Sequence, residues 1–437
     1  MVRNSDYQRC LEEMYGLQRF GIKLGLDTIR HVLNELGNPH HDFECIHIAG
    51  TNGKGSVAAT LASILISNGL KTGLYTSPHL VRFNERIQVN HRQISDEDVM
   101  AAHAAVRATS PGQRELTFFE LATAMALYAF RQQAVDWAII ETGMGGRLDA
   151  TNIIRQAATV ITNVSIEHRQ YLGGTLAAIA GEKAGIIKPR TPVVTGIKQP
   201  KALNVVAGVA EQNRSPLYRS GHDFRTRRRS DGSFDYYGIH HRRKRLQTAL
   251  TGSHQVVNAG LALAACEVLE DRLPISESDI RDGLQNTRWP GRLELLAGRP
   301  ALLLDGAHNR EAARTLADYL RSRYPEVPIT LVVGILDDKP YRAMLQSLVP
   351  ECRHIVVTRP RIQRALPTET LFAEVKTMTT RVEMAPDVAA AVQRAVTLTP
   401  ADGIVCIAGS LYVVGEAKEA LEAGQIRDLT MAADFNT

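Results

Sequence analysis

Residues 47–57 read HIAGTNGKGSV, and the fold turns on how that stretch is interpreted. It closes an apolar run, DFECIHIAG, that has the length of a buried strand. From Ser56 onward, VAATLASILISNGL spaces apolar residues as a helix does and stops at Asn68-Gly69, a helix-end signal. A glycine loop between a strand and a helix is the setting of a phosphate cradle. Bare backbone N–H groups can close on phosphate oxygens, and the helix points its positive end at the same place. The loop departs from the standard pattern G-x-x-x-x-G-K-[ST], which needs Gly at position 48 and Ser or Thr at 55, where the chain has Ile48 and Gly55. Gly50, Thr51, Asn52, Gly53, Lys54, Gly55 and Ser56 are the candidate phosphate binders. Lys54 would offset β/γ-phosphate charge, and Ser56 would face a Mg²⁺ ion.

Working outward, KTGLYTS, VDWAIIETG and ATVITNVS read as further strands. SDEDVMAAHAAVRAT reads as a helix capped by Ser95 with Asp98 three residues on, and LTFFELATAMALYAFRQQ as a long apolar helix. Strands alternating with helices predict an α/β fold: a P-loop-type, mostly parallel sheet forming an ATPase domain over 1–294. A second alternation starts at ALLLDGAH and ends with GIVCIAGS and a helix from about Val413. It predicts a smaller Rossmann-like α/β domain over 295–437, joined through RWPGRLELLAGRP as a linker.

Bulk properties exclude several classes. The 437 residues are 44% hydrophobic and 22% charged, the profile of a globular enzyme. No apolar run is long enough to span a membrane, and the first residues have no apolar signal core, so a cytoplasmic protein is expected. The five cysteines are scattered without a C-x-x-C pair, which fits neither a disulfide framework nor a zinc site. The net charge of +5 is local. Residues 219–245 hold nine Arg or Lys against three Asp, a charge of +6. The D-G turn signal at Asp231-Gly232 between strand-like runs predicts a solvated basic hairpin rather than a nucleic-acid motif.

Three further clusters carry chemistry. IIETGMGGRLDATN ends a strand in Glu141 before a glycine-rich turn, where a metal ligand belongs in an α/β domain. ITNVSIEHRQYLG brings Glu167-His168 after another strand, and His168 reads equally as a metal ligand or a structural histidine. AGEKAGIIKP puts Lys183 in a helix beside Glu182, and a lone lysine is usually a solvated surface group. No N-K-x-D guanine signature accompanies the loop, which argues against a GTPase switch.

Together HIAGTNGKGSV, YTSPHLVRFNERI, LTFFE, ETGMGGRLDATN, ITNVSIEH, GEKAGIIKP, SHQVVNA, PGRLE, LDGAHN and GSLYVVG occur in an order that resembles the folylpolyglutamate synthase/dihydrofolate synthase family of Mur ligases, along nearly the whole chain. The loop's departure from the standard pattern is similar to that family's own variant. The resemblance implies an ATP-dependent ligase that adds L-glutamate to dihydropteroate and to folate polyglutamates through an acyl phosphate. It implies ATP phosphates on Gly50 to Ser56, and Mg²⁺ on Ser77 and Glu141 with a second ion on His168. It also implies carbamylated Lys183, and nucleotide contacts from Asn258, Arg292, Asp305 and His308. The pterin would lie against Leu24, Gly25, Leu26 and Asp27, against Thr117, Phe118, Phe119 and Glu120, and against Leu148, Asp149 and Ala150. Glu167 stands where the family usually has Asp, and no role carries over to it.

The resemblance implies small-molecule partners only, with no nucleic acid and no membrane, and a monomer. Within the family, a polyglutamate synthase alone is the other reading. A cell-wall ligase of the Mur type lacks its UDP-sugar domain before residue 45, and a nucleotide-dependent switch would not need glutamate for turnover.

Overall fold

In the computed structural model, which describes residues 5–21, 23–110, 112, 114–427 and 429–431, the apolar run before the glycine loop is strand β1 (Glu44–Ala49). It lies inside an eight-stranded sheet with β2 (Thr72–Tyr75), β3 (Ile87–Val89), β4 (Arg92–Gln93), β5 (Trp137–Glu141), β6 (Ala158–Ile161), β7 (Val193–Thr195) and β8 (Leu217–Arg219). The order is β4-β3-β2-β5-β1-β6-β7-β8. The strands from β2 to β8 run parallel, and β3 and β4 are antiparallel additions at one edge. The central strands β1 and β5 are buried almost throughout, as near-continuous apolar runs in a sheet covered on both faces must be. The chain visits β2, β5 and β1 out of sequence order, so the carboxyl ends of β1, β5 and β6 open side by side, where such sheets bind ligands.

The helices of this unit are α1 (Ser5–Gly16), α2 (Asp27–Glu35), α3 (Lys54–Ser67), α4 (Asp96–Arg107), α5 (Phe118–Gln132), α6 (Arg169–Leu172), α7 (Leu176–Ala184), α8 (Pro200–Gln212), α9 (Ser253–Glu267) and α10 (Glu277–Asn286). Helix α3 is buried on every side from Gly55 to Leu65, which is why its sequence has no polar face. It is enclosed by the sheet together with α9 and α10. The predicted cap of α4 is present: Ser95 accepts from the Asp98 N–H while Asp98 bonds back to the Ser95 N–H.

The basic segment forms more than a hairpin. Strands β9 (Arg225–Arg228), β10 (Phe234–Tyr237) and β11 (Arg242–Leu246) make a three-stranded antiparallel meander with β10 in the middle. The Asp231-Gly232 turn joins the first pair as its sequence signals. A second turn at 238–241 had no such signal.

This first unit holds residues to Pro78, Phe83–Ala249 and Ser253–Arg288. The second holds His79–Arg82, Leu250–Gly252 and the chain from Trp289. The second unit is a six-stranded sheet in the order β12-β14-β18-β15-β16-β17. It comprises β12 (Glu294–Leu296), β14 (Ala301–Leu304), β15 (Ile329–Val333), β16 (His354–Val357), β17 (Val382–Met384) and β18 (Ile404–Ala408). Only β12, at the edge, is antiparallel. Strands β13 (Gly298–Arg299) and β19 (Thr430–Met431) pair separately. The stretch read as a linker therefore carries two strands of this unit. Its apolar core lies on both faces of the sheet, under α11 (Arg310–Arg323), α12 (Tyr341–Leu348) and α13 (Thr368–Lys376) on one side and α14 (Val388–Leu398) and α15 (Leu411–Glu422) on the other.

Candidate active site

The glycine loop is fixed by the chain segment that follows the neighbouring strand β6. The Thr51 N–H donates to the Asn163 carbonyl (3.0 Å) and the Asn52 N–H to Asn163 Oδ1 (2.9 Å). Thr162 Oγ1 (2.7 Å) and Asn163 Nδ2 (3.0 Å) both donate to the Asn52 carbonyl, and the Ser165 N–H donates to Thr51 Oγ1 (3.0 Å). Gly50, at φ +152°, has Thr162 Oγ1 1.9 Å from where a Cβ would stand. Gly53, the N-cap of α3 at φ +84°, has Asn258 Oδ1 2.7 Å from its own Cβ position. Glycine at both places is thus a steric requirement of the cradle. The cradle fits a phosphate: the Lys54, Gly55 and Ser56 N–H groups open a fourteen-residue helix ahead of its first internal bond, from the Val57 N–H to the Gly53 carbonyl.

Four charged groups surround it. Lys54 Nζ bonds the Thr51 carbonyl (3.3 Å) and lies 3.8 Å from Glu141 Oε1. Glu141, the last residue of β5, accepts the Ser77 N–H at 3.3 Å. The structure thus brings Ser77, Glu141 and Lys54 together. Lys183, only 1% exposed, donates from Nζ to the Gly50 carbonyl and to Glu167 Oε1, both at 2.9 Å. The surface reading of a lone lysine fails here because the first turn of the glycine loop covers it. Burial raises the Glu167 carboxyl, but Lys183, Lys54 and His168 outweigh burial and hold it at about 2. Burial pushes the Lys183 amine below the ordinary lysine range, and Glu167 pulls it back. With the two charges 2.9 Å apart and the carboxylate strongly favoured, the pair is ionised.

His168 stands next to Glu167 at φ +45°, as N-cap of the short α6. Asn258 lies over Gly53 and donates from Nδ2 to Gln255 Oε1 (2.9 Å). Among the described residues no three His, Cys, Asp or Glu side chains converge. Ser77 and Glu141 offer hard oxygen donors, and a small donor set of this kind suits Mg²⁺, which keeps waters and phosphate oxygens in its shell.

The remaining expected ligand residues hold structural bonds. Thr117 and Glu120 form the capping box of α5, and Arg114 grips Glu120 through Nη2 at 2.7 Å. Phe119 packs where a Gly143 Cβ would stand, so these residues adjoin the turn after β5. In that turn Asp149 accepts from the Met144 N–H (2.8 Å) and from Thr151 Oγ1 (2.6 Å). Helix α2, which begins at Asp27, packs on the Ala150–Ile153 turn, while Leu24 is exposed. The three stretches that the resemblance assigned to pterin therefore neighbour one another in the first unit.

In the second unit, Asp305 follows β14 and accepts from the Leu293 N–H (2.9 Å) and the Ala307 N–H (3.0 Å). Burial raises its carboxyl, with Arg292 opposing. Arg292 Nη1 donates to the Gly291 carbonyl (3.0 Å), and His308 Nδ1 bonds the Gly306 carbonyl (2.8 Å). Arg292, Asp305 and His308 thus form one cluster.

Sequence reasoning missed Thr162, Asn163 and Ser165, which hold the loop, and left Glu167 without a role. The signal for the first three was present in ITNVS, the stretch directly after a parallel strand.

Comparison with known proteins bears on this geometry. The description "Mur ligase middle domain" matches residues 48–266 and "Mur ligase, glutamate ligase domain" matches 291–411. The chain is 40% identical to the Bacillus subtilis dihydrofolate synthase/folylpolyglutamate synthase over 78% of its own length and 82% of the relative's. It superposes on the Escherichia coli enzyme solved with DHPP and ADP at TM-score 0.88 and 30% identity, covering 95% of this chain and 98% of that one. The Yersinia pestis bifunctional synthase solved with AMPPNP and a Mn ion matches at TM-score 0.87 and 30% identity, covering 96% and 98%.

Proposed function

The chain belongs to the folylpolyglutamate synthase/dihydrofolate synthase family of Mur ligases, and from that premise we propose that it is an ATP-dependent ligase joining L-glutamate to dihydropteroate and to folate polyglutamates. The observation that carries the reading is the glycine cradle with Lys54, Glu141 and Ser77 at its mouth and Lys183 sealed behind it.

The acceptor carboxylate takes the γ-phosphoryl group of ATP, and the amine of glutamate displaces phosphate from the acyl phosphate. Backbone N–H groups from Gly53 to Ser56, at the start of α3, and the Lys54 ammonium hold the phosphates in line with the acceptor. Glu141 and Ser77 would bind one divalent cation and His168 a second. When bound, such an ion neutralises the charge that builds on the transferring phosphoryl group. Lys183, once carbamylated, would present an anion where its ammonium now stands. Burial works against the hold of Glu167 on the ammonium proton, which eases the deprotonation that CO₂ addition needs. Asn258, Arg292, Asp305 and His308 would bind the rest of the nucleotide. The pterin would rest against Leu24 to Asp27, Thr117 to Glu120 and Leu148 to Ala150. We read the protein as a cytoplasmic monomer acting on small molecules; no described helix is long and apolar enough to cross a membrane.

The test is glutamate-dependent phosphate release from ATP with Mg²⁺, with dihydropteroate as one acceptor and tetrahydrofolate as the other. Turnover with both supports the bifunctional reading, and turnover with one assigns a single activity. No turnover with either from folded protein refutes the acceptor assignment.

A further inference from the structure

The turn that leads from Glu141 to the Leu148–Ala150 stretch has a second anchor, which the ligase reading leaves unused. It sits flush on the last turn of α7. The Arg147 N–H donates to the Glu182 carbonyl (2.8 Å), and Asn152 Nδ2 bridges the Arg147 carbonyl (2.9 Å) and the Gly185 carbonyl (3.1 Å). A Cβ on Gly146 would stand 2.8 Å from the Glu182 carbonyl oxygen, and one on Gly185 only 2.3 Å from Arg147 Cβ. Glycine at both places lets the turn and the helix touch backbone to backbone. Over this contact the two side chains close. Arg147 donates from Nε (3.2 Å) and Nη2 (2.8 Å), both to Glu182 Oε1.

The residue after Glu182 is Lys183, whose ammonium holds the Gly50 carbonyl at 2.9 Å. Consecutive residues of a helix point about 100° apart, so one short helix reaches in two directions. Glu182 grips the turn after β5, and Lys183 grips the glycine loop after β1. The two grips differ in kind. Lys183 is sealed from water, whereas the Arg147 and Glu182 side chains are 56% and 21% exposed. A pair that open to water adds little to stability. Its effect is local: it restrains sliding and tilt in a contact otherwise made by two glycines, one backbone bond and the Asn152 amide.

We propose that Arg147 and Glu182 are positioning residues for the acceptor, holding the turn that leads to its pterin rest at one distance from the glycine loop. The inference rests on the ligase reading. Acyl phosphate formation needs the acceptor carboxylate in line with the γ-phosphate, and both sides of that alignment hang on α7. A turn that slides on the helix leaves both ligands bound and lowers the fraction of time they are aligned. Misplacement by ~1 Å is enough to cost on the order of a hundredfold in rate. The pair acts through the turn, so its loss falls on kcat, with the acceptor KM and the nucleotide affinity nearly unchanged.

The experiment uses the full chain with Glu182→Ala, Arg147→Ala, Arg147→Lys and the exchanged pair Arg147→Glu/Glu182→Arg. Each alanine variant is expected to lower kcat about tenfold with dihydropteroate and with tetrahydrofolate alike, at near wild-type ADP affinity and melting temperature. The exchanged pair should recover most of that loss. Arg147→Lys, which keeps the charge without the fork, should fall between. Wild-type kcat in Glu182→Ala overturns the proposal, as does a change confined to the acceptor KM or an exchanged pair no better than the alanine variants. Hydrogen exchange at the Arg147 amide gives a readout without turnover: ADP with Mg²⁺ should slow it in the wild type and not in Glu182→Ala. If the wild type releases no phosphate with either acceptor, the ligase reading fails. The clamp then stands on the exchange difference and falls if ADP slows both proteins equally.

Discussion

Replacing Lys183 by Met removes the cation that Glu167 faces at 2.9 Å and leaves a carboxylate whose side chain is only 12% exposed. Breaking a buried ion pair from one side costs about 3–5 kcal/mol, because the remaining charge has lost both water and partner. Glu167 retains some water and has Lys54 nearby, which places the expected loss near the low end, about 3 kcal/mol. Methionine roughly conserves the lysine stem, so packing contributes little. For a unit of this size, that loss lowers the melting temperature by roughly 5 °C. The assay is urea unfolding of wild type, Lys183→Met, Glu167→Gln and the double variant. Removing both charges should recover at least half of the Lys183→Met loss, with a coupling energy of about 1.5 kcal/mol or more. A Lys183→Met loss below about 1 kcal/mol, with no recovery in the double variant, would refute the reasoning. Unfolding is run in CO₂-free buffer, where residue 183 carries the free amine, so that outcome would mean that the amine is not an ammonium opposite Glu167.

Lys54→Ala and His168→Ala should each abolish glutamate-dependent phosphate release while the melting temperature stays near that of the wild type; normal turnover in either would displace that residue from the site. Gly53→Ala forces φ +84° on an L-residue and drives a methyl toward Asn258 Oδ1, so nucleotide affinity should fall at least tenfold and stability by about 1–2 kcal/mol, read by nucleotide titration and thermal melting. His47 is fully buried, with Nε2 2.8 Å from Thr151 Oγ1, whose proton goes to Asp149, so the ring's own N–H sits on Nε2. Burial first, then Lys188, lowers its pKa from 6.5 to about 3. The stability it contributes is complete above pH 6.5 and lost as pH falls towards 3, and His47→Gln should flatten that limb of a stability–pH curve. Glu267→Gln removes the carboxylate that four donors share, and hydrogen exchange should rise selectively in β10 and β11.

Local chemistry made much of this legible in the sequence. The strand–loop–helix around Gly50, the Ser95 cap, the Asp231-Gly232 turn and Glu141 at a strand end are each written in a few consecutive residues. What could not be read depends on contacts between distant segments. Lys183 looks like any surface lysine until Gly50 and Glu167 close over it, from 133 and 16 residues away. Thr117 and Glu120 fit a binding motif and a capping box equally well, and only the Arg114 contact shows how far the structural role already occupies them. Strands β7, β8 and β17 span three residues each, too short for a periodicity to form, and they exist because a neighbouring strand pairs with them. The linker reading of 288–300 failed for the same reason: β12 is ordered by pairing with β14 across a turn that Pro and Gly made look like loop.

The bonds from Thr162, Asn163 and Ser165 hold the glycine loop through the protein's own groups. Ordering a backbone residue ordinarily costs roughly 1–2 kcal/mol in lost freedom, and here folding has already met that cost for Gly50 to Asn52. A nucleotide arriving at the cradle therefore meets its final geometry at first encounter. Its association rate should follow charge and diffusion, and substitutions among the anchoring residues should show mainly as faster nucleotide escape.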